Sequence, residues 1–562
     1  MAAFLSRLNP VPSFSNFTGP YRVGTIDVEI PVTALDSPSP TPDHADGIHT
    51  VQFRIFYPIA PDAEGRYISW LPAPQRSHVS AYTQFLGAGP ILAEFVSFLP
   101  RHLYYTTIPA RKNAALLEPT TPSRRWPTMI FSHGLGGSRN AYSHMAGSVA
   151  SHGVVVVCPE HRDGSSVVSF VRDPAAQDRF FRRSTRTVIP YLHKSHAETD
   201  EEWALRDQQL RIRLWELGLV HDALVRLDEA RPLVNLNGST PATSLAQFAG
   251  KLAVHSPGDI IWAGHSFGSA SVVQLLKTTY YADTDGMASI KSPLFTPRPD
   301  SRLRAQISET SPTILLDLWC FPLLSPEQHM LFQLPLPAYA DVPDAAGGRA
   351  ILAVGSETFY KWTPHLHTTA RVLSPDPSAA VVSSAAYLRP NGIRLSEPNY
   401  FYVRNSAHLN QSDFGLLFPW LTGKIFGATK PERALRLNLR AILQMLRANG
   451  RSVARTWAGD LVDGSDVDKL GAATAAGPSD GIDDDKAIFD HGSGIESWAW
   501  IDIIGLGTEA PDSGSTLSRT PEHDGVSTET AVADNKGKQA VDKEMEPHLA
   551  VASKSGNAVT AP

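Results

Sequence analysis

Short continuous apolar runs, separated by segments with helical periodicity, recur along the chain from Pro127 onward. Such runs are typical of strands that are buried on both faces of a parallel sheet. Before them, Ile26 and Val28 alternate with polar residues, and so do Val51 and Phe53, which predicts two antiparallel strands at a sheet edge. The pattern therefore predicts an α/β fold, with a mostly parallel central sheet flanked by helices and with antiparallel N-terminal strands. The predicted parallel strands cover residues 129–131, 154–157, 260–263, 313–316, 350–354 and 400–403.

Two longer segments repeat leucine and other apolar residues at helical spacing. One helix is predicted over residues 201–229, inside a long insertion, and a second, amphipathic helix runs through Leu435 and Leu446 and ends at Gly450. We predict one folded domain over residues 19–450, with insertions at about 165–250 and 283–312. A flexible N-terminus, residues 1–18, precedes it.

Beyond residue 450 the composition shifts to Gly, Asp, Ser, Thr, Ala and Lys. A segment with so few apolar residues buries too little surface to offset the entropy of ordering it. Residues 451–562 are therefore predicted to be a low-complexity, mostly disordered tail. One short apolar island, from Trp498 to Ile504, is the exception, and we expect it to dock on the domain or on a partner.

Composition excludes several classes of protein. The chain of 562 residues carries a formal net charge of −6 and has no basic run interleaved with aromatic residues, so nucleic-acid binding is not expected. Its two cysteines cannot form a disulfide scaffold, which fits a reducing compartment. The apolar run at Met1–Leu8 is too short for a signal peptide, Ala2 excludes N-myristoylation, and no apolar stretch is long enough for a transmembrane helix. We predict an intracellular, cytoplasmic protein.

The sequence Gly264-His265-Ser266-Phe267-Gly268 matches the pattern G-x-S-x-G directly after the apolar run 260–263. At a strand-to-helix turn this pattern forms a nucleophile elbow, in which a strained backbone lifts the serine hydroxyl above the sheet edge. A second match, residues 477–481, has no apolar strand before it and is interpreted as chance. Ser266 is therefore the candidate nucleophile.

A serine nucleophile needs a histidine to take its proton and a carboxylate to orient that histidine. In α/β-hydrolases these partners follow the serine in the order acid and then histidine, each after a strand. Asp317 and His408 satisfy this order; Glu357 is the rival acid, and His365 and His367 are the rival bases. Because no carboxylate or cysteine lies at a recognisable metal spacing beside the last two, no metal site is predicted.

Acyl transfer also requires hydrogen-bond donors for the developing oxyanion. One donor is the backbone N–H of Phe267, the residue after the nucleophile. The second is expected in the loop after an earlier strand, where residues 132–137 read S-H-G-L-G-G, and we assign it to the N–H of Leu135. The loop is not interpreted as a phosphate loop because it lacks the G-K-[ST] ending and the G-x-G-x-x-G spacing.

One apolar stretch, residues 79–99, is broken by Gly87, Gly89 and Pro90 into two short pieces. Two interpretations remain open: helices packed into the core, or a surface patch that faces lipid. The candidate lipid-facing residues are Phe85, Leu86, Ile91, Leu92 and Phe95.

Several ordered motifs between Gly19 and Arg447 resemble the platelet-activating factor acetylhydrolases of the plasma and cytosolic type II group, which are calcium-independent, lipase-like phospholipases. The chain is similar to a fungal-type member with an extra C-terminal tail. The motifs are G-P-Y-x-V-G at 19–24, F-S-H-G-L-G at 131–136, A-S-H-G at 150–153, E-H-R-D at 160–163, G-H-S-F-G at 264–268, L-D-L-W-C-F-P at 316–322 and the segment 406–414.

The resemblance implies an α/β-hydrolase that needs no cofactor, with Ser266, Asp317 and His408 as the triad and the N–H groups of Leu135 and Phe267 as the oxyanion hole. It also implies hydrolysis of the sn-2 acetyl ester, or of a short or oxidised sn-2 acyl ester, of a glycerophospholipid, as in a 1-alkyl-2-acetylglycerophosphocholine esterase. A lipid-facing patch, with reversible, peripheral contact with a membrane or lipid-aggregate surface, is implied as well. Departures, such as Ser269 in place of a second glycine, leave two alternatives open. One is a general carboxylesterase or polyester hydrolase of the same fold, and the other is a catalytically silent lipid-binding protein.

Overall fold

A computed structural model describes residues 11–98, 102–174, 186–194, 196–426, 430–461 and 481–506. The strands are β1 (Arg22–Pro31), β2 (Thr50–Ile59), β3 (Tyr67–Ser69), β4 (Thr107–Lys112), β5 (Trp126–Ser132), β6 (Val155–Glu160), β7 (Val168–Arg172), β8 (Arg186–Pro190), β9 (Leu252–Ala253), β10 (Ile260–His265), β11 (Thr313–Leu316), β12 (Ile351–Ser356), β13 (Asn399–Val403), β14 (Thr456–Trp457), β15 (Gly481–Ile482) and β16 (Trp498–Trp500).

The α-helices connect these strands and cover the faces of the sheet. They are α1 (Gln75–Phe85), α2 (Pro90–Val96), α3 (His102–Tyr105), α4 (Ser143–Ala150), α5 (Asp200–Asp228), α6 (Phe267–Tyr280), α7 (Asp285–Ala288), α8 (Arg302–Gln306), α9 (His329–Gln333), α10 (Glu357–Tyr360), α11 (Thr363–Val372), α12 (Asp413–Leu417), α13 (Pro419–Phe426) and α14 (Pro431–Ala448). Helices α5 and α14 confirm the two predicted from the leucine spacing. No helix in these ranges is both long and apolar enough to cross a membrane.

The central sheet has the strand order β16-β13-β12-β11-β10-β5-β6-β2-β1-β4-β3. From β6 to β13 every neighbouring pair is parallel, and these strands are the ones that the continuous apolar runs predict. Along β10, Ile260 and Trp262 pack in the core that includes α5 and α6, while Ile261 and Ala263 pack in the core that includes α4 and α14. Both faces of the sheet are therefore buried, and the chain has the predicted α/β-hydrolase fold.

The two N-terminal strands are antiparallel as predicted, but their placement at the edge is wrong. Strand β2 lies between β1 and β6, and β1 also pairs with β4. The alternating polar side chains are buried rather than exposed, because Asp27 pairs with Arg54 at 2.8 Å and Glu29 pairs with Arg172 at 3.3 Å. The alternation correctly indicates that β1 has one polar face, but buried ion pairs cover that face, and solvent does not reach it.

The N-terminal segment was predicted to be flexible, and this is wrong for residues 11–18. Phe17 packs directly on Gly147 of α4, where a β-carbon would lie 2.1 Å from the ring. Ser15 hydrogen-bonds His144 of the same helix at 3.2 Å. The absence of a side chain at Gly147 is what lets the segment lie on α4. Residues 1–10 are outside the described part of the chain.

Part of the predicted disordered tail is also ordered. Strand β16 pairs antiparallel with β13, and the Trp498 ring stacks on Phe401 with the ring centroids 4.9 Å apart. Asp485 accepts two hydrogen bonds from the buried guanidinium group of Arg440 on α14. These few anchoring residues contribute little to the average composition of the tail, so composition does not predict them. The predicted end of the folded domain at residue 450 therefore leaves out residues 451–461 and 481–506, which pack on it. The rest of the tail is not among the described residues.

Candidate active site

Ser266 lies at the turn between β10 and α6 in a strained backbone conformation, with φ 56° and ψ −120°. The flanking glycines make this turn possible. A β-carbon on Gly268 would lie 2.0 Å from the carbonyl oxygen of Ser132, and one on Gly264 would lie 2.4 Å from the backbone of Gly268. The predicted elbow is therefore present at Ser266. The second match to the pattern lies outside the described residues except for Gly481.

Asp317 and His408 meet at the carboxyl ends of their strands. The Nδ1 atom of His408 lies 2.9 Å from Asp317 Oδ2, and both side chains are buried. Asp317 follows β11 with a left-handed backbone, φ 40°, and its Oδ1 accepts the N–H of Ser356. Strain at a polar residue of this kind is typical of functional sites, where the surrounding structure holds it in place.

The hydroxyl of Ser266 forms no hydrogen bond with the His408–Asp317 pair. Its side chain is buried, and Oγ has no hydrogen-bond partner within the described part of the chain. Bonds between a nucleophile and its base are often long in enzymes without substrate and tighten when substrate binds. A hydrogen bond of this kind would join the hydroxyl of Ser266 to the imidazole of His408.

The rival residues have other partners. Glu357 accepts the N–H of Asn405 at 2.6 Å and pairs with Lys361, so it holds the loop before His408 rather than the imidazole itself. His365 lies on α11, buried, with Nε2 accepting the N–H of Cys320. His367 also lies on α11. The geometry therefore favours Asp317 over Glu357 and His408 over both histidines of α11.

Two aromatic rings contact the imidazole of His408, and the sequence does not predict either contact. Phe359 stacks on one side with centroids 4.7 Å apart, and His265 lies 4.4 Å away. The Nδ1 atom of His265 is 2.7 Å from the hydroxyl of Tyr142. Burial, and then the nearby His408, hold the pKa of His265 well below its ordinary value, so His265 stays neutral. These contacts join residues far apart in sequence, and no local motif reports them.

The loop predicted to stabilise an oxyanion lies directly against the nucleophile. A β-carbon on Gly134 would lie 2.9 Å from the β-carbon of Ser266. Gly134 donates its N–H to the hydroxyl of Tyr142, and Gly136 donates its N–H to the carbonyl of Ser165 at 2.8 Å. Leu135, between them, is half-buried, and Phe267 is the first residue of α6. Of the two predicted N–H donors, Leu135 therefore belongs to the loop that contacts Ser266, and Phe267 directly follows Ser266 in the chain.

A buried polar network supports this loop from behind. His133 Nδ1 bonds the carbonyl of Gly134 at 2.8 Å, and its Nε2 accepts the N–H of His161. Arg213 donates to the carbonyl of His133 and pairs with Asp163 at 2.7 Å. His161 and Asp163 belong to the E-H-R-D motif. That motif therefore supports the loop 132–137, a structural role that the sequence analysis does not assign.

One group of side chains in the described ranges has metal-ligand geometry. Potential ligand atoms of His265, Asp317 and His408 lie within 4.8 Å of one another. Both histidines already use one ring nitrogen within the protein, because His408 Nδ1 bonds Asp317 and His265 Nδ1 bonds Tyr142. The arrangement matches an acid and base pair better than an ion site.

The candidate lipid-facing residues divide into two groups. Phe85 is half-buried: its ring packs against the oxyanion-loop glycine Gly136 and meets Tyr191 edge-on at 5.0 Å. Phe85 is therefore less exposed than the other candidates, because Gly136 leaves room for its ring, and its contact with lipid stays a prediction. The remaining candidates are exposed on and beside α2, together with Phe98; they are Leu86, Ile91, Leu92 and Phe95.

Comparison with known proteins places this site in a family. The sequence model of the family described as platelet-activating factor acetylhydrolase, isoform II, matches residues 9–337. The chain belongs to this family. Among relatives, it is 26% identical over 453 residues to a putative phospholipase A2 of Schizosaccharomyces pombe, covering 77% of this chain and 91% of that one. It is 24% identical over 454 residues to the platelet-activating factor acetylhydrolase of Bos taurus, covering 79% and 81%.

A solved structure is also similar. The ferulic acid esterase from Streptomyces cinnamoneus has a TM-score of 0.42 and 14% identity, over 77% of this chain and 92% of that one. The family model ends at residue 337 and so does not cover His408, whose assignment depends on its contact with Asp317. Family membership and fold together support a lipase-like phospholipid acetylhydrolase or esterase.

Proposed function

We propose that the chain is a serine esterase that cleaves the sn-2 acetyl or short acyl ester of glycerophospholipids through an acyl-enzyme on Ser266. The observation that carries this proposal is the buried 2.9 Å contact of His408 Nδ1 with Asp317 at the same sheet edge as the strained Ser266 turn. The choice of a phospholipid rests on membership of the acetylhydrolase family.

The geometry supports a two-step acyl transfer. With Nδ1–H donating to Asp317, the Nε2 atom of His408 is free of a proton and takes the one on Ser266 Oγ as Oγ attacks the ester carbonyl. The N–H groups of Leu135 and Phe267 stabilise the oxyanion. The tetrahedral intermediate expels the lysophospholipid alkoxide, which takes the proton from His408. Water then attacks the acyl-enzyme by the same route and releases the carboxylate.

Access to aggregated lipid is proposed through the exposed face of Leu86, Ile91, Leu92, Phe95 and Phe98. Ile91 is 88% exposed and the other four are between 52% and 61% exposed. Side chains of this size are seldom clustered in solvent without an interaction role. The face connects to the site through Phe85, which is the last residue of α1, directly before Leu86, and which packs on Gly136. A reversible contact of this face with a membrane surface would bring lipid to the oxyanion loop.

A fluorophosphonate probe tests the nucleophile. We expect the probe to label the native chain and to leave Ser266→Ala unlabelled, with loss of ester hydrolysis in the same variant. Ser269→Ala serves as the matched control, because it removes a neighbouring hydroxyl and leaves the nucleophile in place. Labelling that persists in Ser266→Ala, or is absent in the native chain, would exclude an acyl-enzyme on this residue and leave the silent lipid-binding alternative.

A substrate panel tests the phospholipid assignment. Phosphatidylcholines with sn-2 chains of increasing length are compared with p-nitrophenyl esters of the same acyl chains. We expect the phospholipids with acetyl or short chains to have the higher kcat/KM. Equal or better turnover of the soluble esters would instead favour a general carboxylesterase of the same fold.

A further inference from the structure

A cavity of about 640 Å³ lies between the β3–β4 hairpin and the start of α1. None of its described lining residues belongs to the candidate active site. The cavity is bounded by strand residues on one side and by the chain around Pro74 on the other. Its charged lining residues are Arg54, Arg66, Arg76, Lys112 and Asp27.

The charges around this cavity do not balance. Asp27 is the one acidic side chain among the described lining residues, and it is already shared by two arginines, Arg54 at 2.8 Å and Arg139 at 3.4 Å. Arg76 pairs with Glu94 outside the cavity. Lys112 is half-buried and Arg66 is exposed, and neither forms an ion pair with any side chain in the described ranges. The cavity therefore carries an excess of positive charge.

Arg54 gives an independent sign of a missing partner. Its side chain is 1% exposed, and Nε and Nη2 both donate to Asp27. The remaining nitrogen, Nη1, is buried and has no hydrogen-bond partner in the described parts of the chain. A buried guanidinium donor without an acceptor is unfavourable, and Arg54 lines the cavity, so an acceptor bound beside it there would satisfy this donor.

The cavity wall also includes the beginning of an 11-residue helix. Helix α1 starts after Pro74, no side chain caps it, and both Pro74 and Gln75 line the cavity. The first N–H groups of a helix have no intrahelical acceptor and carry the positive end of the helix dipole. Such a terminus beside arginine and lysine is a site that suits an oxyanion with several acceptor oxygens.

We propose that this cavity binds a phosphate group, held by Arg54, Arg66, Lys112 and the first N–H groups of α1. The phosphate can belong to a lipid headgroup or to a free phosphate ester, since both present the same oxygens. The cavity borders the exposed apolar face, because Arg76 at its rim lies over the Phe98 ring at 3.6 Å. The site does not depend on the acyl-transfer chemistry proposed for Ser266.

The experiment compares two double variants of equal charge change. Arg66→Glu with Lys112→Glu reverses two cavity charges, while Lys291→Glu with Arg298→Glu reverses two exposed charges away from the cavity. Binding is measured by calorimetry with glycerol 3-phosphate and with inorganic phosphate, and by sedimentation with vesicles of phosphatidylcholine alone or mixed with phosphatidic acid. Ester hydrolysis is measured in the same preparations, so that an absence of esterase activity is distinguished from an absence of phosphate binding.

We expect the parent and the Lys291/Arg298 variant to bind, and the Arg66/Lys112 variant to lose about tenfold or more in affinity, which corresponds to about 1.4 kcal/mol. Loss in the calorimetric arm identifies free phosphate esters as ligands, and loss confined to the vesicles with phosphatidic acid identifies a lipid headgroup. No binding in either arm, or an equal loss in both double variants, would overturn the proposal.

Discussion

Asp317→Asn removes the charge of the candidate acid and keeps its shape. The structure fixes how the new amide would sit, because the N–H of Ser356 donates to Oδ1 and so selects the amide oxygen at that position. The amide NH₂ group then faces Nδ1 of His408, where Asp317 Oδ2 now lies at 2.9 Å. To accept this donor, His408 must carry its proton on Nε2, and in that tautomer it cannot take the proton of Ser266.

The expected loss follows from that change of tautomer. Where an aspartate-to-asparagine change of this type leaves the geometry intact, kcat falls by about 10⁴-fold. At 1.36 kcal/mol for each factor of ten, this corresponds to about 5 kcal/mol of transition-state stabilisation. KM for a short-chain ester should change little, because Asp317 is buried behind His408 and does not reach the substrate.

The assay measures kcat and KM on a short-chain phosphatidylcholine and on p-nitrophenyl acetate, with thermal unfolding as the check on folding. The matched control is Glu357→Gln, since Glu357 also follows a strand of the sheet but bonds Asn405 and Lys361. We expect this control to keep kcat within a few-fold of the parent. An Asp317→Asn enzyme within tenfold of the parent, or a Glu357→Gln enzyme that loses as much, would refute the assignment of the acid.

Three further predictions concern stability. Ser269→Ala removes a hydroxyl whose one hydrogen is shared between the buried carbonyl oxygens of Gly264 and Leu316, so urea unfolding should show a loss of about 1–2 kcal/mol, and an unchanged midpoint would show that this hydroxyl adds nothing. Arg440→Met leaves the buried carboxylate of Asp485 unpaired and should cost about 3–5 kcal/mol in the same assay, whereas a loss below 1 kcal/mol would mean that the C-terminal segment is weakly attached. Burial opposes ionisation of Asp27, but two arginines outweigh it and hold its pKa at about 2, against 3.8 for the ordinary group. The ionised carboxylate therefore stabilises the fold above pH 3.8 and loses this effect as pH falls through 2. The difference in unfolding free energy between the parent and Asp27→Asn should shrink by about 2 kcal/mol between about pH 5 and pH 2, and a constant difference would contradict the pairing.

The sequence predicts the interior of the sheet better than its margins. A strand such as 260–263 is buried on both faces, so its apolar run records its environment directly. Strands β3 and β16 are three residues long, and their pairing depends on partners remote in sequence. The polar side chains of β1 resemble a solvent-facing alternation, because sequence alone does not show that Arg54 and Arg172 cover them.

The candidate site divides in the same way. Ser266, Asp317 and the loop at Leu135 each follow a strand directly, so the order of motifs along the chain locates them. The contacts that orient His408 come from Phe359 and His265, whose rings have no spacing rule to reveal them. The order of motifs along the chain thus predicts the candidate residues of the site, while the side chains that pack around them are seen only in the structure.

The pairing of β16 with β13 has a consequence for the order in which the molecule is made. Until Trp498 leaves the ribosome, β13 is the outermost strand of its side of the sheet, with one row of N–H and C=O groups open. An open edge of this kind is a template on which another chain can add a strand. His408 is therefore synthesised long before the edge beside it is closed. The nascent protein therefore contains the candidate residues Ser266, Asp317 and His408 before β16 is available to cover this edge.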